Sequence, residues 1–121
     1  MKKTILHLDD EAEIRELLTQ YLAARGYRVI PASSPTEAMR AIREDKPDLI
    51  ITDLQLDDAD GLEVVDQFKA VLPDTPVILL TGVLIDPHVA EETVGTKVAA
   101  YVEKTASLTK LVAEVKRLIG D

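Results

Sequence analysis

Five times along this chain a short apolar run gives way to a stretch whose apolar residues recur every three or four positions. No other feature constrains the fold as tightly. Strands separated by a helix cannot pair as a tight hairpin, so the crossover sets them parallel, and such crossovers are right-handed. A parallel sheet buries both of its faces. The repetition therefore predicts an α/β fold, with one open parallel sheet between two layers of helices.

The first run is Thr4–Leu8, and Ile14, Leu17, Leu18, Tyr21 and Leu22 follow it at helical spacing, up to a stop at Gly26. A second strand is expected at 27–30. Ser34-Pro35-Thr36-Glu37 is a helix start: Ser34 caps, Pro35 suits the first helical position, and Glu37 closes a capping box on Ser34. The third strand, 48–52, is apolar enough for burial on both faces. A third helix opens at Gly61, with Val65, Phe68 and Leu72 on its buried face. Further strands are expected at 77–80 and 100–102. The helix opened by Asp86-Pro87 is cut short at Gly95, and Ser107 caps a last helix carrying Leu111, Val112, Val115 and Leu118.

The 121 residues suit one domain with one core, and no linker or low-complexity tract divides them. Aromatic residues are only 3% of the chain, so that core must be aliphatic. The net charge of −8 argues against binding of nucleic acid or an anionic membrane by this domain. With no cysteine, disulfides, thiolate catalysis and Cys-ligated zinc are excluded. Asp9, Asp10 and Glu11 interrupt the opening MKKTILHL too early for a secretory signal. No apolar run approaches the roughly 18 residues that span a bilayer. A soluble, cytoplasmic protein is the expectation.

Open parallel sheets bind ligands beyond the carboxyl ends of their strands. The first strand ends at Asp9-Asp10, the third at Asp53, the fourth at Thr81-Gly82 and the fifth at Lys104; the second ends at Pro31-Ala32, with nothing reactive. Three carboxylates, a hydroxyl and an ammonium thus meet on one rim. Crowded carboxylates raise one another's pKa unless a cation sits among them. Mg²⁺ suits a few carboxylates together with water and a phosphate oxygen, and phosphoryl transfer is the chemistry that fits.

In these five residues, and along nearly its whole length, the chain resembles the receiver domain of two-component response regulators. The resemblance implies a flavodoxin-like, doubly wound sheet in the order 2-1-3-4-5 with five helices, in a single receiver domain over residues 1–121. It implies that Asp53 accepts a phosphoryl group from a sensor histidine kinase or phosphotransfer protein. Asp10, Asp53 and the backbone carbonyl of Gln55 would bind Mg²⁺, with Asp9 acting through water. Thr81 and Lys104 would hold phosphoryl oxygens, and Tyr101 would be the aromatic switch that follows Thr81. Gly61 matches the glycine that opens the third helix. Such a domain is not an enzyme in the turnover sense, although it promotes transfer to its own aspartate and its own dephosphorylation. Its signal would pass to a downstream protein or to an output domain absent from this chain, and a homodimer is one arrangement open to it.

The sequence also departs from the family pattern. Asp57 and Thr105 stand where prolines are usual, and the Lys104–Thr105 bond is expected trans because a non-proline cis bond costs ~2.5–4 kcal/mol. The GTKVAAY stretch from Gly95 to Tyr101 is long, so the fourth helix is expected to be short or irregular. By the same resemblance Gln55 and Val83 would border the path of an attacking water, and an apolar Val83 is then expected to leave the phosphoryl group long-lived. Two rival readings are a receiver-like module that binds partners without phosphorylation, and a phosphatase of the haloacid dehalogenase type. The latter expects an acid where Gln55 stands. Asp57, Asp58 and Asp60 are expected to be solvated loop acids, and Glu11 a first-turn acid favoured by the helix dipole. His7 is expected to be packed or capped, and His88 exposed.

Overall fold

The computed structural model describes residues 2–56, 59–82, 97–104 and 106–120. In chain order the elements are β1 (Thr4–Leu8), α1 (Ala12–Ala23), β2 (Arg28–Ala32), α2 (Pro35–Asp45), β3 (Leu49–Thr52), α3 (Gly61–Val71), β4 (Val77–Thr81), β5 (Ala100–Glu103) and α4 (Leu108–Ile119). Every strand pair in the main sheet is parallel, and the order is β2-β1-β3-β4-β5. This is the expected flavodoxin-like topology. The winding direction reverses between β1 and β3, which opens a crevice at their carboxyl ends.

Period-two alternation sorts the strand residues between two cores. Leu6, Leu8, Ile50, Val77 and Leu79 face Ala38, Ala41 and Ile42 of α2 and Val64, Val65 and Phe68 of α3. Ile5, Leu49, Ile51, Ile78 and Leu80 face Leu18 and Leu22 of α1 and Leu111, Val112 and Val115 of α4. These side chains are almost all fully buried. Each aliphatic side chain removed from water contributes about 1.5–3 kcal/mol. The sheet is therefore a rigid platform, and its upper rim is where polar residues begin.

The caps follow local chemistry, with two corrections. Ser34 Oγ accepts the Glu37 N–H at 3.2 Å as expected. The Glu37 carboxylate, however, turns to the N–H of Ser33 at 2.6 Å and to the Ser33 hydroxyl rather than to Ser34. Those two hydrogen bonds from Ser33 hold the Glu37 carboxyl below its usual range. Asp60 is not merely a loop acid: its Oδ1 accepts the Leu62 N–H at 2.8 Å and caps α3. Ser107 caps α4 as expected.

Strand boundaries shift as well. β2 begins at Arg28 and runs through Pro31 to Ala32, which proline permits because β2 is an edge strand. Between β3 and α3, Gln55–Leu56 pairs antiparallel with Ala59–Asp60. The described residues contain four helices. The expected fourth helix with Asp86, Pro87, His88 and Gly95, together with Val83, Asp57, Asp58 and Thr105, lies outside the described residues. Among the described residues no helix is long and apolar enough to cross a membrane.

Candidate functional site

The site is built by carrying the sheet register one residue beyond the strands. Asp53 donates its N–H to the Leu8 carbonyl at 3.1 Å, and Asp9 donates its N–H to the Ala32 carbonyl at 3.1 Å. The two aspartates thereby stand side by side over β1 and β3. Lys104 donates its N–H to the Thr81 carbonyl at 2.8 Å, so β5 delivers the lysine at the same level.

The Lys104 ammonium is the hub. Its Nζ lies 2.8 Å from Asp53 Oδ2, 2.9 Å from Asp9 Oδ2 and 2.8 Å from Glu11 Oε1. Asp9 is 0% exposed and Asp53 5% exposed, so these two carboxylates have left water, whereas Glu11 meets the ammonium from the exposed side. Asp9 Oδ1 accepts the Glu11 N–H at 2.9 Å. Asp9 Oδ2 makes an ion pair with Lys104 but no aligned hydrogen bond. Arg15 donates from Nη1 to the Asp9 backbone carbonyl at 2.6 Å, a contact that ties α1 to the rim.

Electrostatics follow from burial. Burial raises the Asp9 pKa, against the Glu11 N–H and the Lys104 ammonium, which lower it. Burial would lower the Lys104 pKa, but its hydrogen bonds to Asp53 and Glu11 and its ion pair with Asp9 outweigh that and hold it above its ordinary value. His7, on β1, is 0% exposed and drops from 6.5 to about 4, first through burial and then through the nearby Lys104 and Arg15 charges. The imidazole is therefore neutral at pH 7.

Asp9, Asp10, Glu11 and Asp53 each offer a carboxylate oxygen, and these four atoms lie within 4.8 Å of one another. One ammonium does not balance four carboxylates. An all-oxygen donor set with excess negative charge, one oxygen of it buried without an aligned donor, suits a small hard cation.

The structure brings Asp9, Asp10, Asp53 and Lys104 together, as the strand ends imply. Thr81 is fully buried at the end of β4, opposite Glu103 in the register. Tyr101 is half-buried against the α2–α3 core. Gln55 sits in the short ladder, paired with Asp60. Gly61 is demanded by packing: its N–H meets the Leu54 carbonyl at 2.8 Å, and an added Cβ would stand 2.6 Å from the Asp53 carbonyl oxygen.

Two site residues have no reach from sequence alone. Glu11 pairs with a lysine 93 positions away. His7 is packed, as one of its expected alternatives has it, yet neither ring nitrogen finds a hydrogen-bond partner among the described residues. The crowding of acids after β1 is the one signal that could have pointed to Glu11.

This fold and this acid–lysine rim are those of a signalling receiver. Residues 5–116 match the response regulator receiver domain family, and the chain belongs to it. It is 32% identical over 117 residues to response regulator MprA of Mycobacterium leprae, covering 95% of this chain and 50% of that one. With MprA of Mycobacterium ulcerans it shares 33% over 121 residues, covering 98% and 51%. The chain thus spans about half the length of these relatives. Among solved structures it is similar to Thermotoga maritima response regulator TrrA in complex with Mg²⁺–BeF, at TM-score 0.84 and 32% identity, covering 97% and 99% of the two chains. A receiver domain protein from Clostridium thermocellum superposes at TM-score 0.87 with 28% identity, covering 97% and 94%.

Proposed function

We propose that this receiver domain accepts a phosphoryl group on Asp53 from a phosphohistidine of a sensor kinase or phosphotransfer protein, with Mg²⁺. The observation that carries the reading is the Lys104 ammonium held against Asp53 and Asp9 within a cluster of four carboxylates. A carboxylate oxygen of Asp53 attacks phosphorus, an O–P bond forms, the P–N bond breaks, and the imidazole leaves with the electron pair. Lys104 turns from its carboxylates to a phosphoryl oxygen, and the Thr81 hydroxyl donates to another. Asp10, Asp53 and the Gln55 carbonyl would hold Mg²⁺ directly, with Asp9 holding it through water. When bound, the ion neutralises charge on the phosphoryl oxygens and aligns them, which is most of what phosphoryl transfer requires. That TrrA, a similar protein, is solved in complex with Mg²⁺–BeF supports this reading.

Movement of Thr81 gives Tyr101 room to turn inward, and the changed surface is what a downstream protein or output domain recognises. The cytoplasm is the compartment in which a sensor kinase would meet such a domain. Two residues beyond Thr81 the chain carries Val83. An apolar side chain there cannot orient an attacking water, so hydrolysis of the acyl phosphate is slow, and Val83→Glu is expected to shorten its lifetime.

The test is intact-mass analysis after treatment with phosphoramidate, with Mg²⁺ and with chelator. Wild type is expected to gain one phosphoryl group only with Mg²⁺, and Asp53→Ala none. Stoichiometric labelling of Asp53→Ala overturns the assignment.

A further inference from the structure

His7 is the one fully buried side chain among the described residues with both ring nitrogens unpartnered. A neutral imidazole carries one N–H donor and one acceptor nitrogen, and leaving both without a protein partner in a buried position is costly. An apolar residue of similar size would fill this strand position without that cost. The imidazole faces the site: its Nε2 lies 3.9 Å from Asp9 Oδ2, too far for a hydrogen bond and too close for an intervening water. That same oxygen has, among the described residues, only the Lys104 ammonium, at 2.9 Å. The other Asp9 oxygen is fixed by the Glu11 N–H.

Phosphorylation of Asp53, on the reading proposed above, draws Lys104 toward a phosphoryl oxygen. Asp9 Oδ2 then loses the one direct contact with a cationic side chain that it has among the described residues. We propose that His7 is a positioning residue for Asp9: as Lys104 leaves, the His7 Nε2–H closes the 3.9 Å gap and takes over the Asp9 oxygen that the ammonium releases. His7 touches neither the phosphoryl group nor its donor. It keeps the Asp9 carboxylate oriented between two N–H donors, one from the Glu11 backbone and one from the ring, while the site reorganises. The resting state bears the cost of an unpaired imidazole so that the loaded state has a donor in place.

The signature is an opposite sign in the two states. In the resting protein, His7→Leu removes an unpaired polar ring, so the variant melts at a higher temperature than wild type. In the state loaded with Mg²⁺ and beryllium fluoride, a phosphoryl mimic, it loses a hydrogen bond to a charged group, so it binds the mimic about tenfold more weakly. His7→Gln, whose amide nitrogen reaches the same place as Nε2, stays near wild-type affinity. Direct observation comes from long-range ¹H–¹⁵N correlation of the wild-type imidazole, with His88→Gln used to assign the signals. Adding Mg²⁺ and beryllium fluoride is expected to fix the Nε2–H tautomer of His7 and move its proton downfield. A His7 signal that stays put while the Thr81 and Lys104 amides shift overturns the inference and leaves the phosphoacceptor reading intact. The same holds for a His7→Leu variant that binds the mimic as tightly as wild type. If no amide shifts at all, the phosphoacceptor reading fails and takes this inference with it.

Discussion

The Lys104 ammonium carries three carboxylates, and the residues around it divide into those the sequence exposes and those it conceals. Asp9, Asp10, Asp53 and Lys104 are legible because each ends a strand, and strand ends in a parallel sheet share a rim. Glu11 is not, because pairing across 93 residues leaves no local pattern. The unpaired state of His7 is not legible either, since an alternating strand position says that a side chain is buried and not what it meets there. His7 gives a pH test. Its folded-state pKa of about 4 lies below the ordinary 6.5, so between those values the unfolded chain binds a proton that the folded chain does not. Stability from this group is fully present above about pH 6.5 and is lost as pH falls toward 4, by about 3 kcal/mol at most. The raised Asp9 pKa acts with the opposite sign, losing stability as pH rises through its folded value. Urea titrations of wild type and His7→Leu at pH 6.5 and pH 4.5 separate the two. The stability advantage of His7→Leu is expected to widen at the lower pH, and an advantage independent of pH would contradict a neutral His7.

At the scale of elements, the loop that leaves β3 and enters α3 sets the position of Asp53. Gly61 lets the first turn of α3 press on the backbone of Asp53 and Leu54. Gly61→Ala puts a methyl group into that backbone, and the expected loss is about 1–3 kcal/mol in a urea titration, with slower phosphorylation because Asp53 is displaced. Asp60→Ala removes the α3 cap and is expected to cost about 1 kcal/mol while leaving labelling intact. The contrast between the two variants separates the loss of a helix end from the displacement of the site. Helices and strands were legible from periodicity, and their order from the alternation of the two periods. Three details were not: the short ladder at Gln55–Leu56, the cap made by Asp60, and the Ser33 contact of Glu37. The ladder is a two-residue backbone pairing, too short to carry a period-two pattern, and the other two depend on where a side chain of the right chemistry finds a backbone N–H, a role for which neighbouring serines or aspartates compete on nearly equal terms.

At the scale of the molecule, a chain of net charge −8 concentrates four carboxylates over one end of its sheet. Folding brings them together, so a cation that binds there stabilises the folded state. At Mg²⁺ concentrations a hundredfold above its dissociation constant, stability is expected to rise by about 2.7 kcal/mol. Thermal melts with Mg²⁺ and with an equal ionic strength of NaCl distinguish site binding from screening, and Asp53→Ala is expected to lose much of the Mg²⁺ effect. A parallel sheet and the placement of the rim follow from the strand–helix alternations, while the strand order comes from the family resemblance, which is why the whole fold was more legible than its details. On the proposed function Asp53, and not the nearby Asp57, Asp58 or Asp60, accepts the phosphoryl group. Borohydride reduces an acyl phosphate to an alcohol and so converts the modified aspartate to homoserine. Peptide mass mapping after phosphoramidate, Mg²⁺ and borohydride is expected to find homoserine at position 53 alone. Homoserine at Asp57, Asp58 or Asp60 with Asp53 intact would contradict the assignment.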